Sequence, residues 1–129
     1  MKVIFFFLTS LYSAHAFSGD ACKGGNGKPL FGYDETHTIN SCDQGFLDQV
    51  MKIARGDRKV ALQGVLDLGW KAMSQNDLET AVKRFNQAWL VNSQSPAVFE
   101  EFAAWEKAHQ NAKKEKEFQQ KAKALNNSS

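Results

Sequence analysis

The sequence predicts an all-α fold: antiparallel helical hairpins, about five helices, behind an N-terminal loop stapled by a disulfide. Three observations predict it. From Asp43 onward apolar residues recur at the 3.6-residue spacing of a buried helix face, in stretches of roughly fourteen residues separated by tight breaks. Helices of that length joined so tightly pack as antiparallel neighbours. Between Phe17 and Ser41, by contrast, five glycines and one proline occur with no period, the composition of a loop. The two cysteines, Cys22 and Cys42, both precede the helical stretches.

The chain opens MKVIFFFLTSLYSAHA, with Lys2 ahead of an apolar run from Val3 to Leu11 and small residues at Ala14 and Ala16. This is the pattern of a signal peptide over residues 1–16, cleaved after Ala16, and it predicts a secreted or periplasmic protein. The run is about ten residues long, against the roughly twenty that a membrane-spanning helix requires, so no membrane span is expected. Residues 17–42 form the glycine-rich loop segment, 43–125 the helical domain, and 126–129 a disordered tail. Without Lys2 the basic residues number fifteen (sixteen less one) against fourteen acidic ones, a balance that implies no nucleic-acid partner. The Lys-rich stretch KKEKEFQQKAK carries acids interleaved at helical spacing, as a solvated helix face does.

In an exported chain two cysteines ordinarily oxidise, and Cys22 and Cys42 allow a single intramolecular pairing. Closing a loop of about twenty residues contributes on the order of 3 kcal/mol in the chain-entropy account. A small metal- or redox-binding protein using Cys22, His37 and Cys42 is the alternative, with Asp34 or Glu35 as further ligands. Its spacing matches no standard zinc finger, and the cysteines lack C-x-x-C proximity. GGNGKP superficially suggests a phosphate loop, but Cys22 stands where the first glycine belongs and Pro29 where the hydroxyl belongs. No cofactor is implied.

The first helix is expected from Asp43 to Ala54, with Ser41 or Asp43 as N-cap and Phe46, Leu47, Val50, Met51 and Ile53 along one side. Gly56-Asp57 breaks it. The second runs from about Lys59 to Ser74 and carries Val60, Leu62, Val65, Leu66, Leu68 and Met73. The third follows the Asn76-Asp77 break with Leu78, Ala81, Val82, Phe85, Ala88 and Trp89. Pro96 suits the first turn of a fourth helix capped by Ser95 and holding Val98, Phe99, Phe102, Ala103 and Trp105. The fifth, after Gln110-Asn111, offers only Ala112, Phe118, Ala122 and Leu125 to a core.

Within this pattern residues 62–95 resemble one tetratricopeptide repeat, a 34-residue helical hairpin. Leu68-Gly69 takes the family's Leu-Gly place, Ala81 and Ala88 its small positions, Phe85 its aromatic position, and Asn76-Asp77 its inter-helix break. Gly69, Ala81 and Ala88 would let the two helices approach closely, with Gly69 and Ala81 facing each other. Val65, Ala72 and Ser93 depart from the family's tryptophan, tyrosine and proline. Residues 96–125 resemble a second, decayed repeat, with Glu115 where a small residue is expected and the last helix shifted or shortened. Two repeats are fewer than the usual three, so the helix from Asp43 and the stapled loop should cover one end, the fifth helix the other. Homo-oligomerisation is the remedy if they do not suffice.

The resemblance implies an exported interaction module that grips a peptide or helix of a partner protein in a concave groove. The groove is lined by the first helix of each repeat: Gln63, Leu66, Trp70, Met73 and Ser74, then Glu100, Ala104 and Lys107. Trp70 beside Met73 would serve as a hot spot or, alternatively, pack beneath the helix from Asp43. An enzyme is not expected. Beyond the signal peptide only His37 and His109 occur, on different segments, and no nucleophile–base or paired-carboxylate arrangement is present.

Overall fold

In the computed structural model, residues 26–128 are described; they form six helical segments and no strand. These are α1 (Pro29–Tyr33), α2 (Ser41–Ile53), α3 (Arg58–Ser74), α4 (Leu78–Val91), α5 (Pro96–Ala108) and α6 (Ala112–Ser128). The signal peptide, Cys22 and the first part of the glycine-rich segment lie outside the described residues.

Each boundary has a local cause. Asn40 caps α2, rather than Ser41 or Asp43: its side chain accepts from the Asp43 N–H at 2.8 Å, and the Asp43 carboxylate accepts from the Asn40 N–H at 3.1 Å. This reciprocal capping box starts the helix two residues before the expected Asp43. At its other end Arg55 and Gly56 take positive φ, and the Gly56 N–H returns to the Met51 carbonyl at 2.8 Å, closing the last turn. Asp57 caps α3 through Lys59 and Val60, and Asp77 caps α4 through Thr80. Asn76 is left-handed, as the sequence predicts, and Gln110 occupies the equivalent left-handed position before α6. Asn76 and Gln110 are 34 residues apart, one tetratricopeptide period. The caps that follow them, Asp77 and Asn111, keep the same interval.

The hairpins α3–α4 and α5–α6 are the most extensively paired elements, with α4 also against α5 and α3 against α5. Ala61, Val65, Val82, Phe85, Ala88, Val98 and Phe102 form the centre, all at most 1% exposed. The ring of Phe85 lies where a Cβ on Gly69 would stand. Gly69 therefore makes room for the Phe85 ring. Phe99, Phe102 and Phe118 form an aromatic cluster between α5 and α6, with centroids 5.3–6.2 Å apart. The Trp105 indole N–H donates to the Leu78 carbonyl at 2.8 Å, fastening α5 to the start of α4. The last helix is neither shortened nor ended at Leu125: it continues to Ser128, so the helix takes in most of the expected tail. Only Phe118 and Ala122 bury fully along it.

The segment expected to be structureless loop contains the least usual backbone. Leu30, Phe31, Gly32 and Tyr33 all have positive φ, between 54° and 92°, so α1 is a left-handed turn. Three of the four are not glycine, at a cost of about 1–2 kcal/mol each. The surroundings hold the turn in place. Leu30 is 3% exposed, and Phe31 stacks on His37 with centroids 3.8 Å apart. Asn86 of α4, fully buried, accepts from the Phe31 N–H at 3.4 Å and donates to the carbonyls of Asn26 and Lys28 at 3.2 and 2.9 Å. The Tyr33 hydroxyl donates to Glu106 of α5 at 2.7 Å, while its ring stacks near Phe118 under Lys114. Residues 26–37 are a strap across α4, α5 and α6.

Candidate interaction groove

The helices α3 and α5 bring together the positions assigned to a concave face. Trp70 is 45% exposed, one of the few large apolar side chains so open, and its ring meets Phe85 edge-on at 5.9 Å. Phe85 thereby props the indole from below. Trp70 is not beneath α2: that helix packs against α4 and the start of α3. Gln63 is exposed and donates to Asp67 one turn on, at 2.8 Å. Glu100 and Lys107 are exposed, and Met73 is half-buried. Leu66 does not belong to this surface. At 5% exposure it is part of the hydrophobic core, because the apolar side of α3 extends through Ala61, Val65 and Leu66 to Gly69.

Beside Trp70 lies a residue that is not among those expected to line the groove. Glu101 of α5 is 2% exposed, and its Oε2 has no hydrogen-bond partner among the described residues. Its carboxyl is pushed up to about 9, first by burial and next by the charge of Asp67 across the groove; the Trp70 side chain acts the other way by hydrogen bonding, and Glu100 adds to the rise. Two acids of α5 and one of α3 thus converge next to an indole. None of the three is in an ion pair among the described residues. Asp67 and Glu101 are also 34 residues apart, the interval that separates Asn76 from Gln110, and that spacing is the signal in the sequence that could have found them.

No described protein family, no curated protein and no solved structure matches this chain.

Other features bear on the remaining expectations. Cys42, near the start of α2, is not a free thiol; Cys22, its expected partner, lies outside the described residues. His37, offered as a metal ligand, stacks on Phe31 and bonds through Nε2 to Asp43 at 2.7 Å. No group of three His, Cys, Asp or Glu side chains among the described residues is placed to hold a metal ion. No helix among them is long and apolar enough to cross a membrane. A cleft of about 280 Å³ between α2, α3 and α4 is lined by Ile39, Leu47, Met51, Arg58 and Leu90. It is smaller than the usual small-molecule site of roughly 300–1,000 Å³.

Proposed function

We propose that this chain is an exported protein–protein interaction module of tetratricopeptide type, which holds a peptide or helix of a partner protein in the groove between α3 and α5. The observation that carries the reading is Trp70: a large indole 45% exposed, supported edge-on by the buried Phe85 and flanked by acids that are in no ion pair among the described residues. A rigid aromatic anchor of this kind supplies contact area at low entropic cost, which is why tryptophan dominates interface hot spots. The 34-residue interval of Asn76 and Gln110, and of their following caps, supports the repeat assignment. The N-terminal leader pattern supports export, with cleavage after Ala16, and export in turn favours a Cys22–Cys42 staple. The module has no chemistry of its own in this reading.

Trp70→Ala tests the groove directly. Partner capture from the exported fraction should weaken by about 2 kcal/mol or more while helical content stays intact. Unchanged capture by a variant that melts normally would move the binding surface elsewhere. Thiol titration of the natively folded exported protein tests the staple: both cysteines should be blocked, and two reactive thiols would remove it.

A further inference from the structure

We infer that the α3–α5 groove selects a basic side chain, best an arginine, from the segment it binds, with Asp67, Glu100 and Glu101 receiving the guanidinium and Trp70 covering its plane. The inference rests on the groove reading above and adds to it the chemistry of the occupant.

Charge complementarity decides the occupant. Asp67 on α3, which accepts from Gln63, and Glu100 on α5 are exposed at the rim and in no ion pair among the described residues, and Glu101 is at the floor with Oε2 unpartnered. A buried carboxyl oxygen without a partner is costly, and apart from the Trp70 side chain, which hydrogen-bonds the carboxyl, the groups that act on it are the acids Asp67 and Glu100. An acidic or purely apolar occupant would leave that cost in place. A guanidinium relieves it: five N–H donors in a planar fork suit converging carboxylates, and the same plane stacks on an indole face. The rise in the Glu101 pKa, caused by burial and by Asp67 and Glu100, adds a second signature. Binding a cation requires the ionised form, so complex formation releases a proton and tightens as pH rises toward about 9.

The test uses the full exported chain as bait for a phage-displayed library of random peptides, with Trp70→Ala, Glu101→Gln and the rim variant Asp67→Asn/Glu100→Gln as comparison baits. The expected result is a set of peptides that share one Arg or Lys position and lose binding to Trp70→Ala. They should weaken by about tenfold or more on Glu101→Gln and on the rim variant, whose exposed changes leave folding intact. Synthetic copies should bind tighter at about pH 8.5 than at about pH 6.5. If the selected peptides depend on Trp70 yet share no basic position, or bind Glu101→Gln and the rim variant equally well, the arginine inference is overturned and the groove reading survives. If no selected peptide depends on Trp70, both are overturned.

Discussion

Two glutamates of α5 face the same physical problem and meet different solutions. Glu106 is 1% exposed and Glu101 is 2% exposed; five residues apart, they point roughly 140° from each other around the helix. Glu106 receives the Tyr33 hydroxyl at 2.7 Å, delivered by the strap, and Asn86 on the neighbouring helix has all its near polar atoms engaged by strap backbone. Glu101 meets only the Trp70 side chain, and its Oε2 has no hydrogen-bond partner among the described residues. One face of the helical layer is therefore completed by the chain's own N-terminal segment, and the other is left acidic and aromatic. Buried polar groups report what a surface is built to touch: on one face they are satisfied from within the chain, and on the other Glu101 keeps an oxygen without a partner among the described residues, which is the basis of the groove proposed above.

The comparison can be broken on its completed side first, where the largest effect is expected. Asn86→Ala strands the Asn26 and Lys28 carbonyls and the Phe31 N–H, and should cost on the order of 3 kcal/mol in a denaturant titration, with faster proteolysis within residues 26–40. A loss below about 0.5 kcal/mol would show that the strap is not fastened there.

On the other face the sign reverses. The Glu101 carboxyl keeps its proton in the folded protein up to about pH 9 but loses it near the ordinary 4.5 when unfolded. The unfolded state thus binds fewer protons across that window, and folding stability falls as pH rises through it. Glu101→Gln removes the effect. It should leave stability near wild type at about pH 4 and raise it by on the order of 2 kcal/mol at about pH 8, read from paired thermal melts. A variant whose melting point differs from wild type by the same amount at both pH values would show that Glu101 does not keep its proton through this window.

Tyr33→Phe is the next step down. It deprives the buried Glu106 of its donor, at about 1–2 kcal/mol. Burial together with Glu106 holds the Tyr33 hydroxyl well above the usual phenol range, so this bond should persist under alkaline conditions that titrate ordinary tyrosines. Absorbance of tyrosinate against pH checks it. Trp70→Ala should have the smallest effect on stability, about 1 kcal/mol for an edge-on ring pair at a half-open site, well short of the 3–5 kcal/mol of a core tryptophan. In the proposed function its larger effect is on partner capture.

The sequence made the helices legible because their causes are local. Asn76-Asp77, Ser95-Pro96 and the apolar spacing of α3 to α5 each act within a turn or two of chain, and the structure starts and stops its elements there. Leu66 shows the limit of positional transfer: the resemblance to a repeat predicted a surface there, while burial depends on how far the neighbouring helices reach. The strap was read as loop because glycine content and missing period are all a local reading can weigh. What orders it is a pair of side chains, Asn86 and Glu106, that belong to other helices and fall on no apolar stripe. Glu101 escaped for a similar reason, since a charged residue in a helical pattern ordinarily counts toward the solvated face.

The left-handed turn also constrains the order in which the molecule assembles. Its partners are distant along the chain, 55 residues from Phe31 to Asn86 and 73 from Tyr33 to Glu106, whereas each helical hairpin closes over neighbouring sequence. Local hairpins form early because little chain entropy is lost in closing them, and contacts of long separation follow. A turn that disfavours itself in isolation cannot nucleate; it must be imposed by helices that already exist. The segment nearest the start of the described chain is thus among the last to dock, after α4 and α5 are both complete.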